Sequence, residues 1–129
     1  KSLNKNNLSS RGNVVSILGF TFKENVPDIR NTRVIDVINE LQENNIDVQV
    51  HDPLADKQET HNEYGIELKT YSEMRPSNAV IFAVPHDDYV NDGWDLITGL
   101  LIDSSGVVFD INRILSRDSI PAGVQLIRL

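Results

Sequence analysis

Two short runs, Asn13-Val-Val-Ser-Ile-Leu-Gly-Phe20 and Ala79-Val-Ile-Phe-Ala-Val84, restrict the folds open to this chain more than any other feature. Each is apolar and rich in β-branched residues at consecutive positions, so neither has a face to give to water. Strands of that kind belong in a sheet covered on both sides, the environment of a parallel sheet with helical crossovers. Val107-Val-Phe-Asp110 repeats the pattern, and residues 46–50 alternate into a further strand that ends at His51-Asp52-Pro53. Between the first two strands, Val34, Ile35, Ile38 and Leu41 recur at helical spacing, with the Thr32 hydroxyl placed to cap the turn and Asn44-Asn45 to stop it. A polar, weakly helical stretch runs over residues 54–64, followed by Gly65 and a short strand at 66–68. One or two helical turns are expected at 71–75, a helix at 94–101 and a final alternating strand, of a kind that suits an edge, at 123–129. The expected fold class is α/β: a Rossmann-like three-layer sandwich with a mostly parallel sheet and helices on both faces. Residues 1–12 read as a polar linker or tail, leaving 13–129 as one domain.

Charge and composition remove several classes of function. Nineteen acids against twelve bases give a net charge of −7, the wrong sign for a general nucleic-acid surface. There is no cysteine, hence no disulfide framework, thiolate metal site or cysteine nucleophile. No apolar run approaches the roughly 18 residues that span a bilayer, and the opening dozen residues lack the apolar stretch of a signal peptide. A cytoplasmic protein with no nucleic-acid or membrane partner is the expectation.

In an open parallel sheet, ligands gather beyond the carboxyl ends of the strands. Four such edges carry polar residues: 19–30, 51–53, 85–89 and 110–113. The first has Gly19 but no G-x-G-x-x-G, so no glycine-rich turn cradles a phosphate. It carries Phe22, Lys23, Glu24, Asp28 and Arg30 instead, ahead of a helix N-terminus that favours anions. Lys23 and Arg30 suit a phosphate or a sugar hydroxyl. On charge alone they could equally pair with Glu24 and Asp28 on the surface. His51-Asp52 and His86-Asp87-Asp88 could meet across the sheet edge as an acid–base pair or metal site. Three ligands of defined geometry are not evident, however, and strand ends often carry such pairs to satisfy loop backbone groups. The expected metal content is none, and no residue of the chain is assigned a catalytic role. Trp94 and Phe82 read as packing residues, and Asp87, Asp88 and Asp92 as a solvated helix-opening surface.

Leu18-Gly-Phe-Thr-Phe-Lys-Glu-Asn-Val-Pro-Asp-Ile-Arg-Asn-Thr32 resembles the opening of the C-terminal UDP-binding domain of the UDP-glucose/GDP-mannose dehydrogenase family: a strand, then G-x-x-F-K, D-x-R and a capping hydroxyl. His51-Asp52-Pro53, Ala83-Val-Pro-His-Asp-Asp-Tyr89 and Val108-Phe-Asp110 follow in the family's order. The resemblance implies an NAD-dependent UDP-sugar 6-dehydrogenase that oxidises C6 to the uronate for surface polysaccharide. Its catalytic cysteine and NAD-binding domain would lie outside this chain, which alone would be inactive. Phe22 and Lys23 would line the nucleotide-sugar site, Arg30 would reach NAD held by the N-terminal domain, and Asp28 would position that arginine. The family's Asp-x-Arg after the later strand is displaced here, Asp110-Ile-Asn-Arg113, so either Arg113 or Asn112 would meet substrate. The loop wording looks most like the UDP-N-acetylhexosamine branch, and the full-length protein would be a homodimer. A stand-alone nucleotide-binding or regulatory doubly wound domain is the competing class. A phosphoacceptor domain, though, needs an acidic pair near the first strand, where this chain has Gly-Phe-Thr-Phe-Lys.

Overall fold

A computed structural model describes residues 13–128. Among the described residues, five strands form one sheet: β1 (Val14–Leu18), β2 (Asp47–His51), β3 (Ala79–Phe82), β4 (Gly106–Asp110) and β5 (Val124–Arg128), in the order β2-β1-β3-β4-β5. Every pairing is parallel, with Val15 beside Val48 and Ala79, and Ala79 beside Val107. Three α-helices connect them: α1 (Val34–Glu43), α2 (Lys57–Tyr64) and α3 (Asp87–Leu100). All five residues of β1 are buried, as its uninterrupted apolar run requires of a central strand.

The side-chain period of two divides the strands between two cores. Val15, Ile17, Val50 and Ala79 face α1 through Val34 and Ile38, and Tyr64 of α2 packs on the same cluster. Leu18, Val80, Phe82 and Val108 face Tyr89, Ile97 and Leu100 of α3 on the other side. Several polar side chains inside bond one another, although Thr60 Oγ1 and Arg128 Nε are buried without a hydrogen-bond partner among the described residues. Gln49 donates to Ser16 Oγ (2.9 Å) and the Arg75 carbonyl (2.6 Å), and Ser16 and Ser77 share a hydroxyl bond of 2.8 Å. On the first face Ile81, Ala83 and Phe109 line an apolar groove with Val37 of α1 and Ile111.

The main departures from the sequence reading lie in boundaries. Thr32 does bond the helix start, its Oγ1 accepting from Val34 N at 3.2 Å, although regular helix begins one residue after Arg33. The expected strand at 66–68 is a single parallel bridge, Val50 to Leu68, outside the β2 edge. The chain then turns into a 3-10 turn, Tyr71–Glu73, closed by a capping box between Thr70 and Glu73. α3 begins seven residues before the expected 94, at Asp87, with a break at Gly93 (φ 53°, ψ −134°). The aspartates read as a helix-opening surface form its first half. Trp94 is partly buried and donates Nε1 to the Ser116 carbonyl at 3.0 Å. The expected tail at 1–12 lies outside the described residues.

Candidate functional site

β2 and β3 flank β1, so connections leave the sheet centre in opposite directions and open a switch point beyond the ends of β1 and β3. Gly19 begins the loop there. Its φ is 100°, and a Cβ would stand 2.5 Å from Val84 Cβ and 2.8 Å from Val84 N. Only glycine lets the two strand ends pass this closely.

Between Phe20 and Thr32 the backbone is held at several points. Asp52, at the end of β2, accepts from Phe20 N (2.7 Å) and Thr21 N (3.1 Å) through Oδ2, and from Leu54 N and Ala55 N through Oδ1. His86, just beyond β3, shares that Oδ2 through Nε2 at 2.9 Å. Phe22 N donates to the Asp28 carbonyl at 2.8 Å, Tyr64 Oη to the Ile29 carbonyl at 2.7 Å, and Thr32 Oγ1 to the Phe20 carbonyl at 2.6 Å. Ile29 is buried beneath the loop as its hydrophobic anchor. Burial works to raise the Asp52 carboxyl, but hydrogen bonds from His86, Phe20 N and Leu54 N overcome it and hold the group at about 2. It is therefore an anion fixed under the loop.

The side chains expected at the site are the ones this scaffold leaves outside. Phe22 is 52% exposed despite its apolar ring. Lys23 is exposed, and its ammonium enters no ion pair among the described residues. Arg30 is exposed, with Nε and Nη2 forked onto the Asp28 carboxylate at 3.0 and 3.1 Å. The Arg30 guanidinium holds the Asp28 carboxyl below its usual range. Asp28 thus orients the arginine, while its remaining N–H groups face solvent.

On the fourth edge, Asp110 is buried and accepts from Ile114 N and Leu115 N, which curls residues 111–115 over the end of β4. Asn112 donates Nδ2 to the Ala83 carbonyl at 3.0 Å and stitches this loop to the end of β3. Arg113 is exposed at a left-handed φ of 58°, and its carbonyl accepts from Arg128 Nη2. The two histidines do not form a metal set: no group of three metal-ligating residues occurs among the described residues. His51 Nδ1 bonds Tyr89 Oη at 2.8 Å, and that hydroxyl donates to the His51 carbonyl. Tyr71 stacks on the His51 ring at 3.9 Å. Burial lowers the pKa of His51 and raises that of Tyr89. Thr21, Asn25 and Tyr89, which help build the site's frame, lie inside the stretches that carry the family resemblance but were given no role there, and Tyr64 lies in none of them.

The family model for the UDP-glucose/GDP-mannose dehydrogenase family, UDP binding domain, matches residues 16–117, from β1 past this fourth edge. The chain belongs to that family. It is 43% identical over 129 residues to Protein CapL of Staphylococcus aureus, covering 100% of this chain and 30% of that protein. It is 42% identical over 117 residues to a UDP-N-acetyl-D-glucosamine 6-dehydrogenase of Salmonella typhi, covering 89% of this chain and 27% of that one. Among solved structures, an NDP-N-acetyl-D-galactosaminuronic acid dehydrogenase from Methanosarcina mazei Go1 superposes with a TM-score of 0.81 at 22% identity, over 98% of this chain and 26% of that one. That likeness shows the shared fold. The chain spans under a third of the length of each of these proteins. The UDP-binding domain is thus a Rossmann-like unit, and no described helix is long and apolar enough to cross a membrane.

Proposed function

We propose that this domain holds the UDP moiety of a UDP-sugar within an NAD-dependent UDP-sugar 6-dehydrogenase acting on a UDP-N-acetylhexosamine. The observation that carries the reading is the contrast within one loop. Its backbone is bonded down by Asp52, Thr32 and Tyr64, while Phe22, Lys23 and the Asp28-held Arg30 remain exposed beside the switch point. A fixed backbone presenting an exposed lysine and an aromatic face is pre-organised for an anionic, planar ligand. Lys23 would neutralise the pyrophosphate or bond a sugar hydroxyl, and Phe22 would cover an apolar ring face. Arg113 would bring a second cation from the β4 edge. The names of the relatives support the N-acetylhexosamine class, and the uronate made would go into surface polysaccharide.

The residues present suit only a peripheral contact with NAD. Gly19 is closed off by Val84, so the turn after β1 is no pyrophosphate cradle, whereas Arg30 offers unshared N–H donors outward. Arg30 would meet an anionic group of a dinucleotide held chiefly by the rest of the longer protein. When bound, NAD supplies the hydride acceptor. With no cysteine to carry a covalent intermediate, this chain contributes binding and orientation. The whole protein would act in the cytoplasm as a homodimer.

The test is a titration of the chain with UDP, UDP-glucose and UDP-N-acetylglucosamine at low and raised salt. Loss of one charge-assisted bond in Lys23→Ala should weaken UDP binding by about tenfold or more. Raised salt should weaken the parent and leave the variant less salt-sensitive. Equal affinities of parent and variant would defeat the assignment.

A further inference from the structure

We propose that His86 is a positioning residue for Lys23, clamping both flanks of the loop that carries it. The inference rests on the reading of Lys23 as a UDP contact. His86 is 1% exposed and touches the loop at two separate points. Its Nδ1 lies 2.9 Å from the backbone N of Asn25, two residues after Lys23. A backbone N–H can only donate, so Nδ1 is the unprotonated nitrogen and the ring proton sits on Nε2. That proton faces Asp52 Oδ2 at 2.9 Å, the oxygen that also receives Phe20 N and Thr21 N ahead of Lys23. Nε2 is 3.2 Å from Thr21 Oγ1, and the Thr21 hydroxyl donates to the Lys23 carbonyl at 2.9 Å. A single imidazole therefore secures the approach to Lys23 through Asp52 and the exit through Asn25.

The far side of the clamp is closed by α3. Asn25 accepts from Asp87 N through Oδ1 at 2.9 Å and donates Nδ2 to Asp87 Oδ1 at 3.1 Å, with its backbone at a left-handed φ of 62°. Each of these contacts grips backbone or flanking side chains, and none involves the Lys23 ammonium. The network does not neutralise the lysine; it fixes where the lysine begins. Without it, binding would have to order the loop as well as the side chain, and affinity would fall by that cost. An apolar residue at 86 would fill the space but leave Asn25 N–H without its acceptor and take from Asp52 the side-chain donor that joins its four backbone donors.

Two conservative substitutions separate the two grips. His86→Asn places an amide oxygen near the position of Nδ1 and keeps an acceptor for Asn25 N. His86→Gln places a donor near Nε2 and keeps the bond to Asp52, but offers nothing to Asn25. The experiment combines UDP titration with amide hydrogen exchange on the parent chain, both variants, Lys23→Ala, and Lys23→Ala combined with His86→Gln. We expect His86→Gln to speed exchange at the Asn25 amide by about tenfold and to weaken UDP by about as much as Lys23→Ala; His86→Asn loses the Asp52 bond, but four backbone donors still hold that carboxylate, so it should stay within about threefold of the parent. The double variant should bind like either single one, because a misplaced lysine has little left to lose; full additivity would overturn the proposal. If Lys23→Ala weakens UDP and His86→Gln does not, positioning fails while the reading of Lys23 stands. If Lys23→Ala binds normally, the reading of Lys23 fails, and the proposal of a positioning role fails with it. Should His86→Gln not fold, Asn25→Gly takes its place: it keeps the left-handed backbone, loses both Asp87 contacts, and must lose affinity for UDP if the clamp matters.

Discussion

Gly19 shows how one residue without a side chain sets the geometry of the site. Its left-handed φ and the 2.5 Å clearance to Val84 mean that a methyl group there faces both backbone strain and a clash with the β3 end. The strain alone costs about 1–3 kcal/mol. Gly19→Ala should therefore lower the urea midpoint without altering the denaturant slope. The same variant should bind UDP less well, since Phe20 and Thr21 could no longer both reach Asp52; unchanged stability would show that the loop relaxes around the extra carbon.

At the scale of the element, the start of α1 is bonded to the end of β1 by one hydroxyl. Thr32 Oγ1 gives its proton to the Phe20 carbonyl and receives Val34 N, so strand end, loop and helix start share an atom. Thr32→Val is close in shape and removes both bonds, and should cost about 1–2 kcal/mol, as losses of N-terminal caps do. Thr32→Ser keeps the hydroxyl and should recover most of that loss in the same thermal or urea melt. Destabilisation by serine but not by valine would point to the methyl group instead. The break in α3 at Gly93 belongs to this scale too. It lets the Asp87 turn face Asn25 while Trp94, Ile97 and Leu100 pack beneath the sheet.

For the whole molecule, the buried Asp52 links stability to pH. Its folded pKa of about 2 lies below the ordinary value near 3.8, so its contribution is complete above about pH 4 and is lost as pH falls towards 2. The depression corresponds to about 2 kcal/mol for this fully buried carboxylate. His51 adds an earlier decline. Burial lowers its pKa, so the unfolded chain takes up the proton first and stability begins to fall below about pH 6.5. Urea unfolding from pH 7 to 2 should show both stages, and Asp52→Asn should be less stable at pH 7 and lack the lower one. A variant that kept the full loss between pH 4 and 2 would assign that stage to other carboxylates.

The parallel sheet was legible because consecutive apolar residues at 14–18 and 79–82 exclude any strand with a wet face, and α1 because Val34, Ile38 and Leu41 fit only a helical stripe. Phe22, Lys23, Asp28 and Arg30 were legible as a cluster because they share one short loop, and the bidentate Asp28–Arg30 pair is local enough for sequence to anticipate. The start of α3 was not, because its first turn is a run of aspartates whose helical state depends on packing by Tyr89 rather than on periodicity. Nor could spacing distinguish a metal or acid–base pair from a structural one in the two strand-end histidines. That outcome turned on Asp52 and His86, 34 residues apart, meeting at 2.9 Å beside β1. Local hydrophobic pattern specifies which elements form, because burial is decided residue by residue along the chain. Which polar groups come to share a proton depends on strand order, and strand order exists only once the sheet has closed.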